Sequence, residues 1–150
     1  MLDPADATSA LVIGAILGAR FVALAYRIHR WTRGILASAL AVAALAYVLF
    51  AGLAGESSEW LRLELAGVAL YGTMAALGLR GSTWWLVAGW TLHPVWDVAL
   101  HYFGPGVAFA PTWWTVPCLG WDLVAAGYIA SRGLPGTHPV GTTAPRPGAA

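Results

Sequence analysis

Apolar residues fill the chain in five long blocks, separated by short polar stretches. The blocks fall at about 10–30, 34–54, 59–79, 83–103 and 112–131. Each holds roughly twenty residues, which at 1.5 Å rise per residue matches the hydrocarbon thickness of a bilayer. Between them lie a basic cluster from Arg27 to Arg33, an acidic turn from Gly55 to Glu59, a second basic turn Arg80-Gly81-Ser82, and a Pro- and Gly-bounded loop from Gly104 to Pro111. Thr8 and Ser9 are predicted to cap the first helix. Gly14 and Gly18 make a small-xxx-small pair on it, which either permits close approach of another helix or is simply tolerated in lipid. The pattern predicts one all-α domain over residues 1–132, a polytopic helical membrane protein of about five transmembrane helices. Residues 133–150 are rich in Pro, Gly and Thr and are expected to form a disordered tail, in which His138 has no assigned role.

Composition agrees with that pattern. The 150 residues are 59% hydrophobic and 10% charged, against about a quarter charged in a soluble domain. Mean hydropathy is +0.67. A net charge of +1 gives no basis for a nucleic-acid partner, so membrane lipid is the expected one, with homo-oligomerisation left open. Lysine is absent, which excludes Schiff-base chemistry, and the single cysteine, Cys118, excludes an intrachain disulfide. The first ten residues carry Asp3 and Asp6 without a basic n-region, so the first apolar block is expected to be a retained span rather than a signal peptide. Arginines cluster after the first, third and fifth blocks. The positive-inside rule then puts the N-terminus outside and the C-terminus in the cytoplasm, and a multi-pass protein of the bacterial inner membrane is expected. The pairs Trp84-Trp85 and Trp113-Trp114 open the fourth and fifth blocks, as an interfacial belt would.

Against this apolar background the ionisable residues stand out. His93, Asp97 and His101 are spaced i, i+4, i+8 and share one stripe of the fourth helix. Glu64 shares a face with Tyr71 on the third helix, and Cys118 shares one with Asp122 on the fifth. Arg20 sits mid-span in the first and is expected to pair with Asp122 or Glu64. At the helical rise, Glu64 and Asp97 lie about 9 Å below the outer helix ends, His93 and Asp122 about 15 Å, and His101 near the rim. Four helices thus deliver ionisable groups to the outer half of the membrane. Three carboxylates against one arginine leave an excess near −2, which low dielectric does not tolerate. Protonated carboxylates, protonated histidines or a divalent cation would cancel it. His93, Asp97, His101, Glu64 and Asp122 form a ligand set suited to Zn, Fe or Mn. The same His93, Asp97, Glu64 and Asp122 are the candidate catalytic acid–base groups. Arg20, Tyr71 and Cys118 are expected around them, Cys118 as a packing residue. Pro94 and Pro117 are expected to kink their helices toward the site. The competing reading is a hydrogen-bonded polar cluster, each bond contributing about 0.6–2 kcal/mol in a membrane.

The stretch Gly89-Trp90-Thr91-Leu92-His93-Pro94-Val95-Trp96-Asp97-Val98-Ala99-Leu100-His101, followed by a Pro-containing loop and then Cys118 and Asp122, resembles a domain-of-unknown-function family of small bacterial integral membrane proteins. Where that family often has a second histidine this chain has Tyr102, and where it tends to have a cysteine before the aspartate this chain has Trp121. The resemblance implies a shared site and no particular chemistry. Three functions are compatible with the residues. The first is a metal-dependent membrane enzyme acting on a lipid-like or isoprenoid substrate. The second is a proton or metal-ion transport or relay protein. The third is a structural accessory subunit with a hydrogen-bonded polar core.

Overall fold

The first helix starts earlier than the expected Thr8/Ser9 cap. Asp3 accepts a hydrogen bond from the Ala5 N–H, and Pro4 occupies the first turn, where its missing N–H is harmless, so α1 spans Pro4–Arg27. Thr8 and Ser9 lie inside it, their hydroxyls donating back to the Pro4 and Ala5 carbonyls at 2.8 and 2.9 Å. The computed structural model of the chain describes residues 3–132, and these are all-helical, with no strand. After α1 come α2 (Thr32–Leu53), α3 (Ser58–Arg80), α4 (Trp84–Trp96) and α5 (Thr112–Arg132). Ser57 caps α3 by accepting from the Trp60 N–H, and Gly55, at φ +71°, makes the turn before it. A π-helical stretch, Asp97–Tyr102, prolongs α4, and a 3₁₀ turn, Pro105–Ala108, leads toward α5. The expected tail at 133–150, with His138, lies outside the described residues.

α1 packs on α5 and α2 on α3, while α4 lies between α3 and α5; α1 and α2 barely touch. The α1–α5 seam is made by glycines. A Cβ on Gly14 would collide with the Pro117 carbonyl, one on Gly120 with the Leu11 carbonyl, and one on Gly18 would sit 2.8 Å from the Trp121 Cα. Gly14 and Gly18 are therefore there for close approach, and the alternative that they are merely tolerated falls away. Phe21 on Trp121 and Tyr26 on Tyr128, both with ring centroids 4.8 Å apart, extend the seam.

α1 and α2 are long and apolar enough to cross a membrane, and only 17% and 33% of their most apolar stretches are buried. Outward faces carry leucine, valine and isoleucine, while the interior holds alanine, glycine, aromatic rings and Glu64, His93, Asp97, His101 and Asp122. At one end of the bundle Arg33 donates to the Leu79 and Gly81 carbonyls, tying the α1–α2 turn to the α3–α4 turn.

Candidate functional site

Pro94 has no N–H to give the helix ladder, and three residues later the α4 backbone passes into i→i+5 bonding, as in Phe103 N–H to the Val98 carbonyl at 3.0 Å. Four residues of α-helix turn a side chain about 40° beyond a full circle. Four residues bonded i→i+5, at roughly 4.4 per turn, stop about 33° short of one. His93 to Asp97 therefore drifts one way, and Asp97 to His101 drifts back. The π turn keeps all three residues on a single wall, and all three are fully buried.

The wall faces two partners. His93 Nδ1 lies 2.8 Å from Asp122 Oδ2 on α5 and 3.5 Å from Asp97 Oδ2. His101 Nε2 lies 2.9 Å from Glu64 Oε1 on α3. The five groups expected to form one ligand set are thus divided into a triad, His93/Asp97/Asp122, and a pair, His101/Glu64. In the triad each residue offers a ligand atom, and the three atoms lie within 4.8 Å of one another. Metal–ligand bonds of about 2.0–2.2 Å place two ligands of a tetrahedral site roughly 3.3–3.6 Å apart, a spacing that falls inside the 4.8 Å bound on the triad.

Two expectations are corrected. Arg20 is exposed on the outside of α1 and makes no ion pair among the described residues; the glycine seam turns the other face of α1 inward. His101, expected near the rim, is fully buried. The 3₁₀ turn closes over it, with a Gly106 Cβ position only 2.7 Å from its Cδ2, and Phe109 sets a ring edge against it at 5.7 Å.

Tyr71 donates its hydroxyl to the Leu92 carbonyl at 3.1 Å and sets its ring edge on His93 at 5.0 Å. The second apolar block, which holds no charged residue, supplies Tyr47 on α2. Its ring stacks on His101, centroids 3.9 Å apart and 12° from parallel, and its hydroxyl lies beside Asp97 and Thr115. The one signal for it was a tyrosine deep in a charge-free block. Several buried polar atoms around the site have no hydrogen-bond partner among the described residues: Tyr47 Oη, His93 Nε2, both Asp97 carboxylate oxygens, His101 Nδ1, and the indole nitrogens of Trp90 and Trp114. Orphaned polar atoms are rare in folded proteins, and here they gather around His93, Asp97 and His101.

Beside the triad runs a cleft of about 450 Å³ between α1, α2 and α5, with Trp90 of α4 at its back. Its walls are apolar, and Asp122 and Cys118 are among its lining residues.

A family model described as a family of unknown function, DUF6010, matches residues 9–135. No curated protein and no solved structure gives a match.

Proposed function

The chain belongs to DUF6010, and from that premise we propose that it is a multi-pass membrane protein whose His93/Asp97/Asp122 triad binds one divalent metal ion and uses it for acid–base or hydrolytic chemistry within the bilayer. The triad geometry carries this reading.

Its membrane half is supported by what faces outward. α3, α4 and α5, which fall short of the two more apolar helices as spans, still expose Leu65, Leu70, Leu79, Val95 and Leu123 while burying Glu64, His93 and Asp122. In water that arrangement is inverted; in lipid it is the low-energy one. The basic ends of α1, α3 and α5 support a reading with those ends cytoplasmic and the N-terminus outside.

Its metal half is supported by charge. Without Arg20 the centre has three buried carboxylates and two histidines. A divalent ion cancels Asp97 and Asp122, with His93 neutral as a ligand must be. That removes the excess negative charge of the triad, which a low-dielectric interior does not tolerate, while Glu64 and His101 form a separate buried pair at 2.9 Å. Zn, Fe and Mn all suit this ligand set. When bound, the ion would supply Lewis acidity and a lowered pKa for a water. The chain's own part is to fix the ligands. Asp122, from a separate helix, holds His93, and Tyr71 holds the α4 backbone at Leu92.

A hydrogen-bonded polar core is the second reading, favoured by the 2.8 Å contact between His93 and Asp122, which is complete without an ion. Metal analysis of the purified protein separates the two. Near-stoichiometric Zn, Fe or Mn is expected, lost in His93→Ala, Asp97→Ala and Asp122→Ala and kept in His29→Ala, whose histidine is exposed. Folded wild-type protein that takes up none of these metals leaves the polar-core reading.

A further inference from the structure

We propose that the cleft between α1, α2 and α5 admits the single hydrocarbon chain of a membrane amphiphile from the side and brings a small, uncharged oxygen headgroup to the Asp122 face of the centre. The headgroup assignment rests on the metal reading above; the cleft itself does not.

The opening exists because of how the helices pair. The glycine seam pulls α1 onto α5, and α2 leans on α3, so a wedge is left between α1 and α2. Ile13, Leu17, Val42 and Trp113 stand along it and are 47–67% exposed, so its mouth is on the flank of the bundle and not at an end. On that flank a membrane protein meets acyl chains. The volume, about 450 Å³, is within the range of small-molecule sites. At about 30 Å³ per water-sized group it holds roughly fifteen such groups, which is one chain and not two.

The depth of the cleft sets the head. No lysine, arginine or histidine lines it, and Asp122 is the one carboxylate that does. An anionic headgroup would add charge to a centre whose divalent ion is already balanced by Asp97 and Asp122, with no other cation lining the cleft. A cationic one would compete with the ion for Asp122. An alcohol, ester or carbonyl oxygen carries no such penalty and can approach a neutral centre.

The test uses the protein in phosphatidylcholine nanodiscs with three photoreactive diazirine probes: a long-chain alcohol, the chain-matched fatty acid, and a phosphatidylcholine. Crosslinks are mapped by mass spectrometry, and metal is assayed in the same samples. The alcohol should label Leu17, Val42 and Trp121 and be competed by unlabelled alcohol. Ala43→Phe and Ile13→Trp, which narrow the cleft from opposite walls, should each cut that labelling about ten-fold, the effect of 1.4 kcal/mol, while metal content stays unchanged. Labelling spread evenly over outward leucines such as Leu24 and Leu49 overturns the proposal. So does cleft labelling that is strongest for the phosphatidylcholine or the fatty acid. Selective alcohol labelling in a metal-free protein would retain the cleft and remove the metal centre.

Discussion

Glu64 and His101 make a pair whose removal has a calculable signature. Both side chains are at most 1% exposed, and their only mutual contact is the 2.9 Å bond between Oε1 and Nε2. His101 Nδ1 already has no partner, so Glu64→Ala leaves both ring nitrogens unsatisfied in the interior. An unsatisfied buried polar group costs about 1–3 kcal/mol, and breaking a buried pair by removing one partner costs about 3–5 kcal/mol. Glu64→Ala should therefore lose about 3 kcal/mol. Glu64→Gln keeps an acceptor oxygen in place and should lose about 1 kcal/mol, the scale of one intramembrane hydrogen bond. Combining Glu64→Ala with His101→Ala should recover part of the loss, a coupling of about 1–2 kcal/mol in a double-mutant cycle. Reversible unfolding in mixed detergent–SDS micelles measures these three variants together with His101→Ala alone. Metal content should stay at the wild-type level in Glu64→Gln. The reasoning is refuted if Glu64→Gln strips the metal as thoroughly as His93→Ala, since Glu64 would then be a ligand and the division into triad and pair would be false. A coupling indistinguishable from zero would refute the pair itself.

The α1–α5 seam predicts that Gly14→Leu and Gly120→Leu abolish folding in detergent, while Gly72→Leu, where a Cβ meets nothing within 4 Å, leaves the yield of monodisperse protein unchanged. Arg20→Ala should alter unfolding free energy by no more than about 0.5 kcal/mol, like Arg62→Ala, because both side chains are exposed; a loss several times larger would return Arg20 to the site. With the C-terminus cytoplasmic, a fluorescent protein fused after Arg132 should be bright and a periplasmic phosphatase at the same position inactive, and the reverse pattern would invert the topology.

The number and spacing of the helices were legible because apolar blocks and charged turns alternate at bilayer length. The start of α1 was not, since Asp3 with Pro4 outcompetes Thr8 and Ser9 as a start, a local contest that composition alone does not rank. The wall of His93, Asp97 and His101 could be seen in the spacing, but the π turn that straightens it changes one hydrogen bond per residue and leaves no mark in the sequence beyond Pro94. Periodicity gives an angle around a helix and not the direction in which the helix will lean. That is why Arg20 was placed inward, when the glycines beside it had already fixed the opposite face against α5. The depth estimates brought Glu64, Asp97, His93 and Asp122 into the outer half of the helices, with His101 nearer the rim. Which group meets which is decided by lateral packing, and it assigned Asp122 to His93 and Glu64 to His101. Tyr47 was missed because no charged residue shares its apolar block, whereas Tyr71 shares a helix face with Glu64.

The seam also orders events during synthesis. Gly14 and the Pro117 carbonyl that it meets are 103 residues apart in the chain. At about 5–20 residues per second, roughly 5–20 s separate their emergence from the ribosome. Throughout that interval α1 is without its main partner, while the α2–α3 hairpin is free to close. Asp122 arrives on the same helix that finally captures α1. The lateral wedge and the last carboxylate of the triad are therefore completed in one step, the last of assembly, so a nascent or truncated chain lacking α5 holds neither.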